Sequence, residues 1–298
     1  MSLPRPSLLG RLRNRAFGIL PPRLHWPLHA LKYYLFTPAA EKAQWDRRIS
    51  LIQGSPDSGA IQRAAGAGEI RGGIQAMHNG LRVVAGSYFG IPGSRLLRAT
   101  RGIHEPQEEK AFAEVIAAMP RGATMVELGA YWAYYSAWFA KDVPDAHCYL
   151  LEPDERNLRM GQRNFALNGL HGRFFNFASG SSSSDTPENI PVISVDDFIQ
   201  RQDLGRIDLL HSDIQGWEQE MLTGAREALQ RKAIGYVFVS THSEDLHRDC
   251  TKTLTNAGYH MVTSVTLAES YSVDGLLIAK APGTPGPDRI EVSPRCTR

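Results

Sequence analysis

The segment Ile207-Asp208-Leu209-Leu210-His211-Ser212-Asp213-Ile214-Gln215-Gly216 places reactive side chains at the end of an apolar run. His211 and Asp213 are two residues apart, so a strand extending through both projects them on one face at its carboxyl end. A second run ends in Ser240-Thr241-His242-Ser243-Glu244, with Asp245 and His247 just after. A neutral imidazole, with a reference pKa of about 6.5, suits proton abstraction from a hydroxyl near neutral pH. Such a general base contributes roughly 10²- to 10⁴-fold. Alternatively, His211, Asp213 and His242 hold a divalent metal ion that lowers the hydroxyl pKa and orients the acceptor oxygen. The bland alternative is a histidine that merely hydrogen-bonds in a strand-end loop, which applies to His247 and His242. Glu218 reads as a first-turn helix acid rather than a catalyst.

A second constellation lies upstream, in Glu127-Leu128-Gly129-Ala130-Tyr131-Trp132-Ala133-Tyr134-Tyr135-Ser136. Gly129 lets a ligand approach the backbone, and the helix that follows offers free amide groups. A dinucleotide would require glycines spaced as GxGxxG, but counting from Gly129 those places hold Tyr131 and Tyr134. Glu152, before Pro153, stands at the tip of the next apolar run, where a carboxylate accepts hydrogen bonds from both hydroxyls of a ribose. A glycine turn and a ribose acid without a phosphate cradle suit an adenosyl ligand lacking phosphates, of which S-adenosylmethionine is the common one.

The elements that position these residues follow from hydrophobic patterning. Candidate strands fall at 125–128, 148–151, 174–177, 207–211, 236–240, 259–263 and 276–279. Helical stretches at 136–141, 155–168, 195–201, 218–230 and 244–257 separate them. Strands apolar on both faces, alternating with helices, predict a doubly wound and largely parallel sheet. Ligands bind such sheets past the carboxyl ends of the strands. The segment from His104 is also helical, with acids early and Phe112, Val115 and Ile116 on one stripe. Its acids read as cap residues.

Composition narrows the field. The 298 residues carry 33 Lys and Arg against 31 Asp and Glu, a net charge of +2, so no global field recruits nucleic acid. Cys148, Cys250 and Cys296 show no CxxC spacing, which argues against a disulfide framework and for a reducing, cytoplasmic setting. Residues 1–40 form a basic, aromatic arm, open either to peripheral membrane contact or to docking on protein. Residues 54–80 read as a Gly- and Ala-rich linker, and 179–191 as a flexible polar insertion.

The strings VELGAYWAYYS, EPDERNLRMGQRNFALNG, SVDDF and IDLLHSDIQGWEQEMLTGA resemble the FkbM-type family of S-adenosylmethionine-dependent methyltransferases. The resemblance implies a Rossmann-like class I methyltransferase fold: α/β, with a seven-stranded, mostly parallel sheet, helices on both faces, and antiparallel sixth and seventh strands. It implies an N-terminal extension over 1–103, a methyltransferase domain over 104–280 and a flexible tail over 281–298. Carried over, Glu127, Gly129 and Ala130 surround the methionine part of the cofactor, with Tyr131 and Ser136 following in the same turn. Glu152 grips the ribose, and Asn176, Phe177 and Ala178 lie at the adenine. His211, Asp213 and His242 then converge beside the sulfonium. Ala133 departs from the family's second glycine and is expected to be tolerated if its φ is negative and to disturb the turn if positive. Asp274, in Ser272-Val273-Asp274-Gly275, either receives a substrate hydroxyl or makes an Asp-Gly turn, the turn being favoured.

The expected activity is therefore O-methylation of a sugar or hydroxylated secondary metabolite, assisted by a general base or a divalent metal. The acceptor is a small molecule or glycan rather than nucleic acid, and a homo-oligomer is compatible with the sequence. A nicotinamide-dependent oxidoreductase and a catalytically inactive methyltransferase-like binding subunit are the alternatives.

Overall fold

The computed structural model describes residues 33, 35, 37–185 and 190–296. Most of the basic arm and the centre of the 179–191 insertion lie outside the described residues. Helices α1 (Ala39–Gly54) and α2 (Pro56–Ala60) lead into a small antiparallel sheet of β1 (Ile70–Arg71), β2 (Ile74–Ala76) and β3 (Arg82–Val84). Helices α3 (Gly90–Ala99) and α4 (Pro106–Ile116) follow. The segment expected as a linker is thus built structure, and Asp57, Ser58, Gln75, Met77 and His78 within it are buried.

The main sheet contains β4 (Thr124–Leu128), β5 (His147–Leu151), β6 (Arg173–Phe175), β10 (Ile207–Ser212), β11 (Ile234–Thr241), β12 (His260–Val265) and β13 (Gly275–Lys280). Its spatial order is β12-β13-β11-β10-β4-β5-β6. Pairs from β11 through β6 are parallel, whereas β13 runs antiparallel to both β11 and β12. This is the class I methyltransferase topology implied by the resemblance. The chain order reverses at β4, which has β5 on one side and β10 on the other. A ligand cleft is expected at that point.

Alternation along each strand separates two apolar layers. Met125, Leu150, Leu209 and Phe238 pack with α4, with α5 (Tyr134–Asp142) and with the N-terminal elements. Val126, Leu151, Leu210 and Val237 face the opposite layer, which holds α7 (Val195–Arg201), α8 (Glu218–Gly224), α9 (Arg226–Gln230) and α10 (Glu244–Asn256). The helix expected over 218–230 is two helices, parted at Ala225, whose φ −104° and ψ 10° leave the helical range. Side-chain N-caps start three helices: Asp154 for α6 (Glu155–Leu167), Ser194 for α7 and Ser243 for α10.

Two further expectations differ from what is observed. The described part of the 179–191 insertion contributes to a three-stranded sheet, β7 (Ala178–Ser179), β8 (Ser184–Asp185) and β9 (Pro191–Ile193), rather than to a loose surface loop. Past β13 the described residues form no helix or strand, yet they are docked rather than loose. Ile290 is buried, its amide donates to the Val262 carbonyl, and the Ser293 amide donates to the Asp57 carboxylate at 2.6 Å. Polar sequence signalled loop in both places, but long-range hydrogen bonds order them. Among the described residues no helix is long and apolar enough to cross a membrane.

Candidate active site

A cavity of about 1040 Å³ opens over the carboxyl ends of β4, β5, β10 and β11. That is large enough for two small molecules to lie side by side. On one side Gly129 adopts φ +73°, and a Cβ there would lie 2.0 Å from the Asp213 carbonyl oxygen. Glycine is required because the β4 and β10 loops cross in contact. Gly129 and Ala130 donate their amides to the Leu151 carbonyl, each at 3.0 Å, which closes the turn against β5.

Glu152 is buried and lines this turn. Its carboxylate accepts the Tyr131 amide at 2.8 Å, the Asp154 amide at 2.8 Å and the Asn157 side chain at 3.4 Å. Oε2, which accepts only the Tyr131 amide, retains acceptor capacity for a ligand hydroxyl. Burial pushes its carboxyl above the ordinary range, opposed by the two amides. Glu127 accepts the Ser136 amide at 3.2 Å; burial, opposed by His211, raises its carboxyl to about 7. Tyr131, Phe177 and Ala178 also line the cavity.

Two residues expected at the cofactor are not in the lining. Asn176 donates its side-chain amide to the Glu152 and Pro153 carbonyls at 2.9 and 2.8 Å, which secures the β5 loop instead of meeting a ligand. Ser136 is fully buried beneath Glu127 and contributes its backbone amide. Ala133 has φ +62°, the sign expected to disturb the turn, but its methyl points at Gly161 on α6 rather than into the cavity. Of the aromatic cluster, Tyr131, Trp132, Tyr134 and Tyr135 line the cavity, and Trp138 packs in the core.

The opposite side gathers acids and histidines. β10 stops at Ser212, so Asp213 lies one residue past the strand, and both His211 and Asp213 line the cavity. Nε2 of His211 is 2.7 Å from Glu108 Oε1, and its Nδ1 is 3.9 Å from Glu127. Burial disfavours a charged His211, but the Glu108 hydrogen bond and the two carboxylates outweigh it and raise its pKa. His242 stands among three carboxylates: Nδ1 is 2.8 Å from Glu218, and Nε2 is 3.3 Å from Asp213 and 3.4 Å from Asp274. Desolvation opposes its charge, yet these partners raise it to about 10. Its carboxylate partners thus favour the imidazolium, which suits His242 to donating hydrogen bonds rather than to taking a proton. Burial raises Asp274 to about 6, pulled back by His242. Asp213 is held below its ordinary value, because hydrogen bonding and charge from His242 overcome its desolvation.

The geometry lends the metal expectation no support. His211 is turned toward Glu108 and Glu127. Among the described residues no three His, Cys, Asp or Glu side chains are arranged to hold a metal ion. No step is assigned to a metal here. His247, bonded to Thr241 at 2.9 Å and Ser264 at 3.0 Å, is structural.

Several site residues were read as something else or passed over. Of the acids taken for cap residues, Glu105 is half-buried in the cavity lining and Glu108 is buried behind it: Glu105 accepts from the Tyr135 hydroxyl at 2.9 Å, and Ser240 donates to Glu108 at 3.1 Å. Burial, opposed by His104 and reinforced by Glu108, raises Glu105 to about 7. The signal was available, since Glu108, Phe112 and Val115 share one stripe of α4. Asp274 makes a site contact as well as occupying a turn. Arg48, Tyr88 and Phe89 come from the N-terminal elements and carried no signal in local sequence.

Residues 122–261 match the methyltransferase FkbM domain. That segment of the chain is similar to FkbM-type methyltransferase domains. Similar solved structures include precorrin-6y C5,15-methyltransferase from Geobacter metallireducens GS-15, at 16% identity and a TM-score of 0.40, covering 58% of this chain and 88% of that one. A putative SAM-dependent methyltransferase from Streptococcus mutans shows 14% identity and a TM-score of 0.42, with 59% of this chain matched to 49% of that one. TrmK of M. capricolum, in complex with S-adenosyl-homocysteine, shows 11% identity and a TM-score of 0.40, over 58% and 68% of the two chains. No curated protein matches the chain significantly. The FkbM domain is an S-adenosylmethionine-dependent methyltransferase unit, and the cavity fits that donor. Gly129 gives backbone access, Glu152 has acceptor capacity for hydroxyls, and an acid-rich wall suits a cationic sulfur.

Proposed function

We propose that this methyltransferase acts on a hydroxyl oxygen of a small hydroxylated acceptor, a sugar or a secondary metabolite. The reading is carried by one observation: Asp274, His242 and Asp213 cluster at the same cavity that Glu152 and Gly129 line. When bound, S-adenosylmethionine supplies an electrophilic methyl group on a positively charged sulfur. Asp274, raised to about 6, is mostly ionised at neutral pH and basic enough to take the hydroxyl proton as the oxygen–carbon bond forms. The His242 imidazolium orients Asp274 and Asp213, and Glu218 holds His242 from behind at 2.8 Å. His211 and Glu108 form the rear wall as a positioning pair.

The acid-rich lining favours a neutral reacting end on the acceptor over an anionic one. Trp217 and Val273 stand exposed at the cavity and offer apolar surface to ring C–H faces or an aglycone. An inactive binding subunit loses its support, because the Ala133 methyl faces Gly161. An oxidoreductase is disfavoured by the missing phosphate cradle. The deciding experiment incubates the protein with S-adenosylmethionine and a panel of neutral glycosides, locating any transferred methyl by NMR. Methyl on oxygen supports the proposal; methyl on nitrogen or carbon, or no transfer to any member, overturns it.

A further inference from the structure

Arg48 on α1 lies outside the matched family segment, yet it lines the cavity. Its guanidinium sits 5.5 Å from the Trp45 ring centre, 5.5 Å from Tyr88 and 5.9 Å from Phe89. It also donates to the Tyr88 hydroxyl. Nε is buried without a hydrogen-bond partner, and no carboxylate lies within ion-pair distance of the side chain among the described residues. The other arginine of the lining, Arg156, is already bonded to Asp154 at 2.8 Å. An arginine held rigidly by aromatic rings, with a buried donor left over, is built to receive a planar anion.

Position selects which anion. Tyr88 stacks within 5.1 Å of Trp132, and the Phe89 amide donates to the Tyr131 hydroxyl at 2.8 Å, so Arg48 and its rings sit over the β4 to α5 turn. That turn is where the amino-acid end of the donor is expected. Glu127 and Glu105 line the same cavity and provide carboxylates for an ammonium group. The acceptor side, by contrast, presents Asp213 and Asp274, which repel an anionic acceptor.

Resting on the methyltransferase reading, we infer that Arg48 binds the α-carboxylate of the donor's amino-acid tail, so that the N-terminal elements complete the donor pocket. Arg presents two parallel N–H groups to a carboxylate, and a charge-assisted pair of this kind accounts for roughly 10- to 100-fold in affinity.

The test is calorimetric titration of the full chain with S-adenosylhomocysteine and with 5′-methylthioadenosine, which lacks the amino-acid tail. Arg48→Gln should weaken S-adenosylhomocysteine by roughly 10- to 100-fold and leave 5′-methylthioadenosine unchanged, with Arg48→Lys in between. Equal weakening of both ligands would make Arg48 merely structural and overturn the inference. Unchanged S-adenosylhomocysteine binding with a raised KM confined to acidic acceptors would overturn it in favour of an acceptor role. Failure of the wild-type chain to bind either nucleoside would sink the methyltransferase reading itself, a result distinct from the others.

Discussion

Ala133 and Gly161 face each other where the β4 turn meets α6: a methyl placed on Gly161 would stand 2.9 Å from the Ala133 Cβ. The interface has room for one methyl, and it sits on Ala133. Left-handed backbone costs a residue with a Cβ about 1–2 kcal/mol, while burying a methyl returns about 0.8 kcal/mol. Ala133→Gly should therefore shift stability by no more than about 1 kcal/mol and leave S-adenosylhomocysteine affinity unchanged. Gly161→Ala should cost about 1–3 kcal/mol through overpacking. The double variant should recover most of that loss, because the methyl has only changed sides. Denaturant melts of the three variants check this; additive losses would refute the pairing.

Asp274 as base predicts a specific acid limb. With its carboxyl raised to about 6 by burial, turnover should fall below about pH 6 as the group protonates. Asp274→Asn should lower kcat roughly 10²- to 10⁴-fold and abolish that limb, with little change in donor affinity. A variant that retains both turnover and the limb would assign the base elsewhere.

His242 carries the opposite sign. Its folded pKa of about 10 lies above the ordinary 6.5. Its contribution to stability is therefore fully present below about pH 6.5 and is lost as pH rises toward 10. The difference in melting temperature between wild type and His242→Gln should be widest near pH 6 and shrink by pH 10. NMR of the ring nitrogens should show an imidazolium at pH 7. A neutral ring at that pH would disprove the assignment.

Glu152 is bonded by two backbone amides as well as facing the cavity. Glu152→Gln keeps the shape but removes acceptor capacity, since one end of an amide can only donate. Affinity for S-adenosylhomocysteine should drop roughly tenfold or more, equally for 5′-methylthioadenosine, because both carry the ribose. Calorimetry of both ligands measures it, and a loss confined to one would move Glu152 off the ribose.

Legibility in the sequence followed the range of the forces involved. All seven main-sheet strands are visible as apolar runs because both faces of the sheet are covered, and α7 at Val195–Arg201 coincides with its expected span. Gly129 and Glu152 were readable because their roles are local to a turn and a strand tip. His242 was found, but the three carboxylates that surround it come from distant segments and favour its protonated form. Asp213 lies one residue past the end of β10 and still lines the cavity with His211. Arg48 and Glu108 reach the cleft through packing alone, which no spacing rule encodes. The tail from 281 onward was misread for a related reason: its partners, Asp57 and Val262, are remote in sequence.

The position of β13 carries one more consequence. The family likeness ends at residue 261, inside β12, whereas β13 is wedged between β12 and β11 and pairs with both. Excised alone, the homologous stretch would lack the ribbon that joins its last strand to the others. The part of this chain recognisable by descent is thus smaller than the part that must fold together, and the autonomous unit extends past the ancestral boundary on the C-terminal side.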